Sequence, residues 1–126
     1  MANKKILIVD DEKRIVEMLK MRLEAFGFDV VTAFDGQDGL EKAREVKPDL
    51  MILDLMLPKM DGYTVCRMLK LDDAYKSIPI IMFTACAQAG DVKLGKETGA
   101  DAYVTKPFDS KILMGKINEL LKRSCL

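Results

Sequence analysis

Asp10, Asp11 and Glu12 follow the apolar run "KILIV" with no turn residue between them, Asp54 follows "LMIL", Thr84 follows "IIMF", and Lys106 comes just after "AYV". Carboxylates crowded at the ends of buried strands repel one another and resist desolvation. Either a cation neutralises them or one of them keeps a proton. The donors are oxygens only, and the chain has no histidine at all. Such a set suits a hard divalent cation, magnesium, which keeps several waters and takes one or two carboxylates together with a phosphate oxygen. Lys106 supplies further positive charge. The chemistry suggested is phosphoryl transfer, in which positioning and charge neutralisation do most of the catalysis. An aspartate with exposed oxygens beside the metal is able to act as the nucleophile.

Taken singly, each residue has an ordinary explanation. Asp10 or Asp11 would cap a following helix, Thr84 would be a plain strand residue, and Lys106 a solvated surface charge. Asp54 is harder to dismiss, because a carboxylate directly after "LMIL" is partly buried and such acids are seldom left unpaired. Shared placement decides the matter. Open parallel α/β sheets bind ligands beyond the carboxyl ends of their strands, near the point where strand order reverses.

The elements that must position these residues follow from periodicity. Short aliphatic runs alternate with stretches of helical period, which is the pattern of βαβ units on a parallel sheet. Strands are expected at Lys5–Val9, Asp29–Ala33, Leu50–Leu53, Ile80–Phe83 and Ala102–Val104, with the third central. Helices are expected over 12–26, burying Ile15, Val16, Leu19, Leu23 and Phe26, and over 37–46, burying Leu40, Ala43 and Val46. A third over 63–71 is expected to bury Val65, Met68 and Leu69, and a fifth over 109–122 to bury Ile112, Leu113, Ile117, Leu120 and Leu121. The fourth, over 88–98, is the weakest, because Gly90 and Gly95 lower its propensity. "PKMDG" makes the turn after the third strand, and Gly27 and Pro48 end the first two helices.

At 126 residues the chain fits one domain. Lysine plus arginine balance aspartate plus glutamate at 20 each, so nothing global attracts nucleic acid or a membrane. Cys66, Cys86 and Cys125 fit no metal-ligand spacing, which argues for reduced thiols and a cytoplasmic protein. Without histidine the chain cannot itself carry a phosphohistidine.

The segments "ILIVDDE", "DLMILDLMLPKMDG", "IPIIMFTA" and "GADAYVTKPF", in this order and spacing, resemble the receiver domain of two-component response regulators, of the chemotaxis-regulator type, over nearly all of residues 5–122. The resemblance implies a flavodoxin-like (βα)5 doubly wound sandwich with strand order 2-1-3-4-5, and a single receiver domain in 1–126 with no output domain. It implies a signalling switch that takes a phosphoryl group from a histidine kinase or phosphotransfer protein, with Mg2+ as the ion, and catalyses only its own phosphorylation and dephosphorylation. Asp54 would be the phosphoacceptor. Asp11 would bind the metal directly, Asp10 largely through water, and the backbone carbonyl of Met56 would complete the protein ligands. Thr84 and Lys106 would hold the phosphate, Tyr103 would move with Thr84 as the switch, and the bond to Pro107 would be cis. A downstream effector or output domain would read the fourth helix, fifth strand and fifth helix, with no direct contact to nucleic acid or membrane.

Several positions depart from the family's common pattern. Met56 and Cys86 occupy the two places that tune hydrolysis, and neither orients water well, so slow self-dephosphorylation is expected. Ala102 stands where many transcription-factor receivers have an acid that joins a charged dimer contact. The rival from another class is a haloacid-dehalogenase-like phosphatase with an aspartyl-phosphate intermediate, but Met56 stands where it wants a second acid. A flavodoxin-type electron carrier would need phosphate-binding donors where this chain has acids.

Overall fold

A computed structural model of the chain describes residues 3–84, 99–106 and 109–124. Its five strands are β1 (Lys5–Val9), β2 (Asp29–Ala33), β3 (Leu50–Asp54), β4 (Ile80–Thr84) and β5 (Ala102–Thr105). They form one sheet in the order β2-β1-β3-β4-β5, parallel throughout. Helices α1 (Lys13–Ala25), α2 (Gly36–Val46) and α3 (Gly62–Lys70) and a C-terminal helix, Ser110–Ser124, complete the described elements. The expected fold class and strand order are what the chain adopts. The expected helix over 88–98, Cys86 and Pro107 lie outside the described residues.

Strand side chains alternate between two cores because successive Cβ atoms point to opposite faces. Ile6, Ile8, Leu50, Ile52, Ile81 and Phe83 pack with Val16, Leu19 and Leu23 of α1 and with Leu113, Ile117 and Leu120 of the C-terminal helix. Leu7, Val9, Met51, Leu53, Ile80 and Met82 pack with Leu40 and Ala43 of α2 and with Val65, Cys66 and Leu69 of α3. Each such buried aliphatic side chain contributes roughly 1.5–3 kcal/mol over leaving it exposed. β3 is buried along its whole length, as expected of the central strand.

Two acids at the amino edge fix the register. Asp49 Oδ2 accepts from the N–H of Lys5 at 2.7 Å, and the Lys5 carbonyl accepts from the Asp49 N–H at 2.8 Å, tying β1 to β3. Asp101 does the same for β4 and β5 through Ile80, whose N–H donates to Asp101 Oδ2 at 2.8 Å. With the starting ends tied, the carboxyl ends come out level.

Three expected core residues are exposed instead. Met68 and Ile112 are apolar but lie roughly 100° around their helices from the centre of the buried face. Cys66, fully buried, holds the place expected of Met68. Phe26 has the right phase but is the C-cap of α1, where the chain already turns out through Gly27 at φ +92°. Val46 and Ile15 are half-buried rather than sealed.

Candidate functional site

Strand order reverses between β1 and β3, and this is where the acids meet. The N–H of Asp10 donates to the carbonyl of Ala33 at 3.1 Å, which carries the β1–β2 ladder one residue further and fixes the first acid at the sheet edge. Asp54 is the last residue of β3, opposite Phe83. Asp10 and Asp54 are nearly sealed, at 1% and 5% exposure, whereas Asp11 is exposed. One carboxylate oxygen from each of the three lies within 4.8 Å of the others, and this is the sole such cluster of acids and cysteines among the described residues.

Neither Asp10 nor Asp11 caps α1. The N-cap is Glu12, whose own side chain makes no cap bond. Asp10 Oδ1 instead accepts from the Glu12 N–H at 2.9 Å, a two-residue turn that points its carboxylate at the sheet edge. Lys106 enters from the far side of the sheet, just past β5, held by its N–H donating to the Thr84 carbonyl at 2.8 Å. Its Nζ stands 2.8 Å from Asp10 Oδ2, 3.3 Å from Asp54 Oδ2 and 3.7 Å from Glu12 Oε1. The ammonium meets Asp10 Oδ2 as an ion pair, at an angle that leaves this buried oxygen without a well-formed hydrogen bond.

Charge crowding shows in the protonation of the site. Burial, and next the Asp10 carboxylate, push Asp54 up from 3.8 to about 6, with Lys106 holding it down in part. Burial also works against the Lys106 ammonium, but the adjoining Asp10 and Asp54 carboxylates more than offset it, so its pKa is raised. One ammonium against four acids leaves the pocket short of positive charge. Oxygen donors only, one of them buried without a full set of partners, are what a hard divalent cation takes, so the residues fit magnesium.

Thr84 is buried at the end of β4, opposite Thr105. Tyr103 is half-buried against the core beside α3, and its hydroxyl, without a hydrogen-bond partner among the described residues, is pushed up to about 12, by burial first and next by Cys66 and Tyr63. Met56 lies in the loop after β3 and is 74% exposed.

That loop rests on two glycines that periodicity does not flag. A Cβ on Gly62 would stand 2.2 Å from the Asp54 carbonyl oxygen, and one on Gly36 would stand 1.7 Å from the Met60 carbonyl oxygen. Bare backbone at both places lets α3 and α2 close on the loop, and the N–H groups of Gly62 and Gly36 donate to Leu55 and Pro58 carbonyls at 2.9 and 3.2 Å. A second feature missed in the sequence is Glu12. Helical period puts it at the start of α1, and the fold also turns it toward Lys106.

The chain matches the family model of the response regulator receiver domain over residues 6–118. It is 48% identical over 122 residues to the alkaline phosphatase synthesis transcriptional regulatory protein PhoP of Bacillus subtilis, covering 97% of this chain and 50% of that protein. It is 46% identical over 120 residues to the DNA-binding response regulator MtrA of Mycolicibacterium smegmatis, covering 95% of this chain and 51% of that protein. The chain thus spans about half the length of these regulators. Among solved structures, a CheY-like response regulator receiver domain protein from Methanospirillum hungatei superposes with a TM-score of 0.91 at 32% identity, over 98% of this chain and 97% of that one. The phosphatase alternative finds no support in these relatives. Acids at the switch point, an ammonium across them, and these matches lead to one statement: the chain belongs to the response regulator receiver domain family.

Proposed function

We propose that the chain is a phosphorylation-activated switch whose phosphoacceptor is Asp54. The observation that carries this reading is the placement of one nearly sealed carboxylate at the end of the central strand, flanked by Asp10 and Asp11 and faced by the Lys106 ammonium at 3.3 Å. Asp10, Asp11, Asp54 and the backbone carbonyl of Met56 would hold Mg2+, which would supply positive charge against the acids and the transferring group. An Asp54 oxygen attacks the phosphorus of a phosphohistidine in line. The P–O bond forms as the P–N bond breaks, and the bonding pair stays on the imidazole nitrogen of the kinase or phosphotransfer protein. Lys106 follows the charge as it moves onto the phosphoryl oxygens, and Thr84 donates its hydroxyl to one of them. Tyr103 adjusts with Thr84.

The relatives are named as transcriptional and DNA-binding regulators of twice this length. This receiver acts in the cytoplasm by protein contact through β5 and the C-terminal helix, with an effector or output domain as partner. It turns over no other substrate. None of the described helices is long and apolar enough to cross a membrane.

Incubation with Mg2+ and acetyl phosphate, followed by intact mass, tests the assignment. The wild type gains one phosphoryl group, and Asp54→Asn gains none. Equal labelling of the two would reject Asp54 as the acceptor.

A further inference from the structure

Lys106 has more anions than it needs. Its Nζ lies within ion-pair distance of Asp10, Asp54 and Glu12, at 2.8, 3.3 and 3.7 Å. Two of these belong to the carboxylate trio suited to a cation, and Glu12 does not. Ammonium and metal cannot both lie against Asp10 Oδ2, because like charges a few ångströms apart in a poorly hydrated pocket repel strongly. Lysine carries its charge on a flexible four-carbon stem, so the ammonium is the partner that moves. Glu12 is the acid it has left.

Glu12 is built for this. Its side chain is 60% exposed, free to swing toward the lysine, and it makes no cap bond to α1. Its backbone is tied to the site all the same, through the N–H donated to Asp10 Oδ1 at 2.9 Å. We propose that Glu12 is a positioning residue that takes over the Lys106 ammonium when a divalent cation claims Asp10, and so sets how readily the site loads. The inference rests on the reading of this pocket as a metal and phosphoryl site. It adds to that reading a residue outside the ligand set, acting through Lys106.

A calorimetric Mg2+ titration of the metal-binding chain at low ionic strength tests it, using Glu12→Gln, Glu12→Asp, Lys106→Gln and the double variant Glu12→Gln/Lys106→Gln. Exposed ion pairs are modest in strength, so Glu12→Gln weakens Mg2+ binding about two- to fivefold. Glu12→Asp, with the same charge on a shorter stem, weakens it similarly. Lys106→Gln removes the competitor and binds Mg2+ more tightly, and in that background Glu12→Gln changes nothing. Wild-type affinity in Glu12→Gln, or in Glu12→Asp, overturns the proposal. So does an equal loss with and without Lys106, which would mean that Glu12 acts on the metal through space. Acetyl phosphate labelling of the same samples at saturating Mg2+ separates the two levels. If labelling persists while the cycle fails, only the role of Glu12 falls. If the wild type neither binds Mg2+ nor takes the phosphoryl group, the reading of the site falls with it.

Discussion

Asp54 sits where an ionised carboxylate is least comfortable, at the end of a fully buried strand with another carboxylate beside it. Its pKa of about 6 against an ordinary 3.8 makes a definite statement about stability. In the metal-free chain, the folded state keeps a proton on Asp54 between about pH 4 and 6 while the unfolded chain has lost it. Stability from this group therefore falls as pH rises through that window, by on the order of 3 kcal/mol in all. Below pH 4 both states are protonated, and above pH 6 the full penalty is in place. Urea unfolding in chelator should show that decline in the wild type and its absence in Asp54→Asn, which should be the more stable protein at pH 7.5. Parallel pH profiles would rule out Asp54 as the strained group. At the same scale, Met56 is exposed beside the acceptor and has no group to orient water. Met56→Asn should shorten the lifetime of the phosphorylated chain several-fold, followed as loss of the phosphoryl mass. An unchanged lifetime would mean that Met56 does not set the rate of hydrolysis.

Elements carry these residues, and the loop after β3 is the one under tightest constraint. The N-cap Asp35 accepts from Asp38 at 2.7 Å and Asp61 accepts from Thr64 at 2.8 Å, so α2 and α3 both start beside that loop. Gly36 lets the two approach. In Gly36→Ala the new Cβ would have to displace the Met60 carbonyl, and overpacking against backbone costs about 1–3 kcal/mol. Gly115, exposed in the C-terminal helix with nothing within 4 Å of an added Cβ, offers the contrast. Gly115→Ala should raise stability by about 0.5–1 kcal/mol through helix propensity alone. Chemical denaturation of the pair should give opposite signs, and loss of stability in both would mean that the Gly36 contact is not the cause. The strands were legible from their aliphatic runs, and two match residue for residue. β3, β4 and β5 each run one residue past the expected end, the first two because Asp54 and Thr84 belong to the ladder as well as to the site. Met68 and Ile112 were misread because composition marks a residue apolar while only phase decides which way it faces. Gly36 and the Glu12 contact with Lys106 were not legible at all. Both depend on distant segments meeting.

At the scale of the whole molecule, the sheet is a frame whose amino edge is tied by Asp49 and Asp101 and whose carboxyl edge is held apart by charge. Four strands end at the site: β1 just before Asp10, β3 in Asp54, β4 in Thr84 and β5 just before Lys106. One ammonium does not neutralise four acids, so the metal-free fold carries an unresolved repulsion that spans both halves of the sheet. A divalent cation joining Asp10, Asp11 and Asp54 would bind the folded chain and not the unfolded one, whose acids are dispersed. Mass action then stabilises the fold by about 2.7 kcal/mol at a hundred times the dissociation constant. For a domain of this size that raises Tm by on the order of 10 °C. The rise should follow the logarithm of Mg2+ concentration and shrink below pH 6, where a proton on Asp54 competes with the metal. Asp11→Asn should reduce it sharply although Asp11 is exposed, because that carboxylate serves the ion rather than the core. Melting curves in chelator and across a Mg2+ series would decide the point. A Tm indifferent to Mg2+ would mean that Lys106 and protons alone balance the acids, and that the carboxyl edge of the sheet is not a metal site.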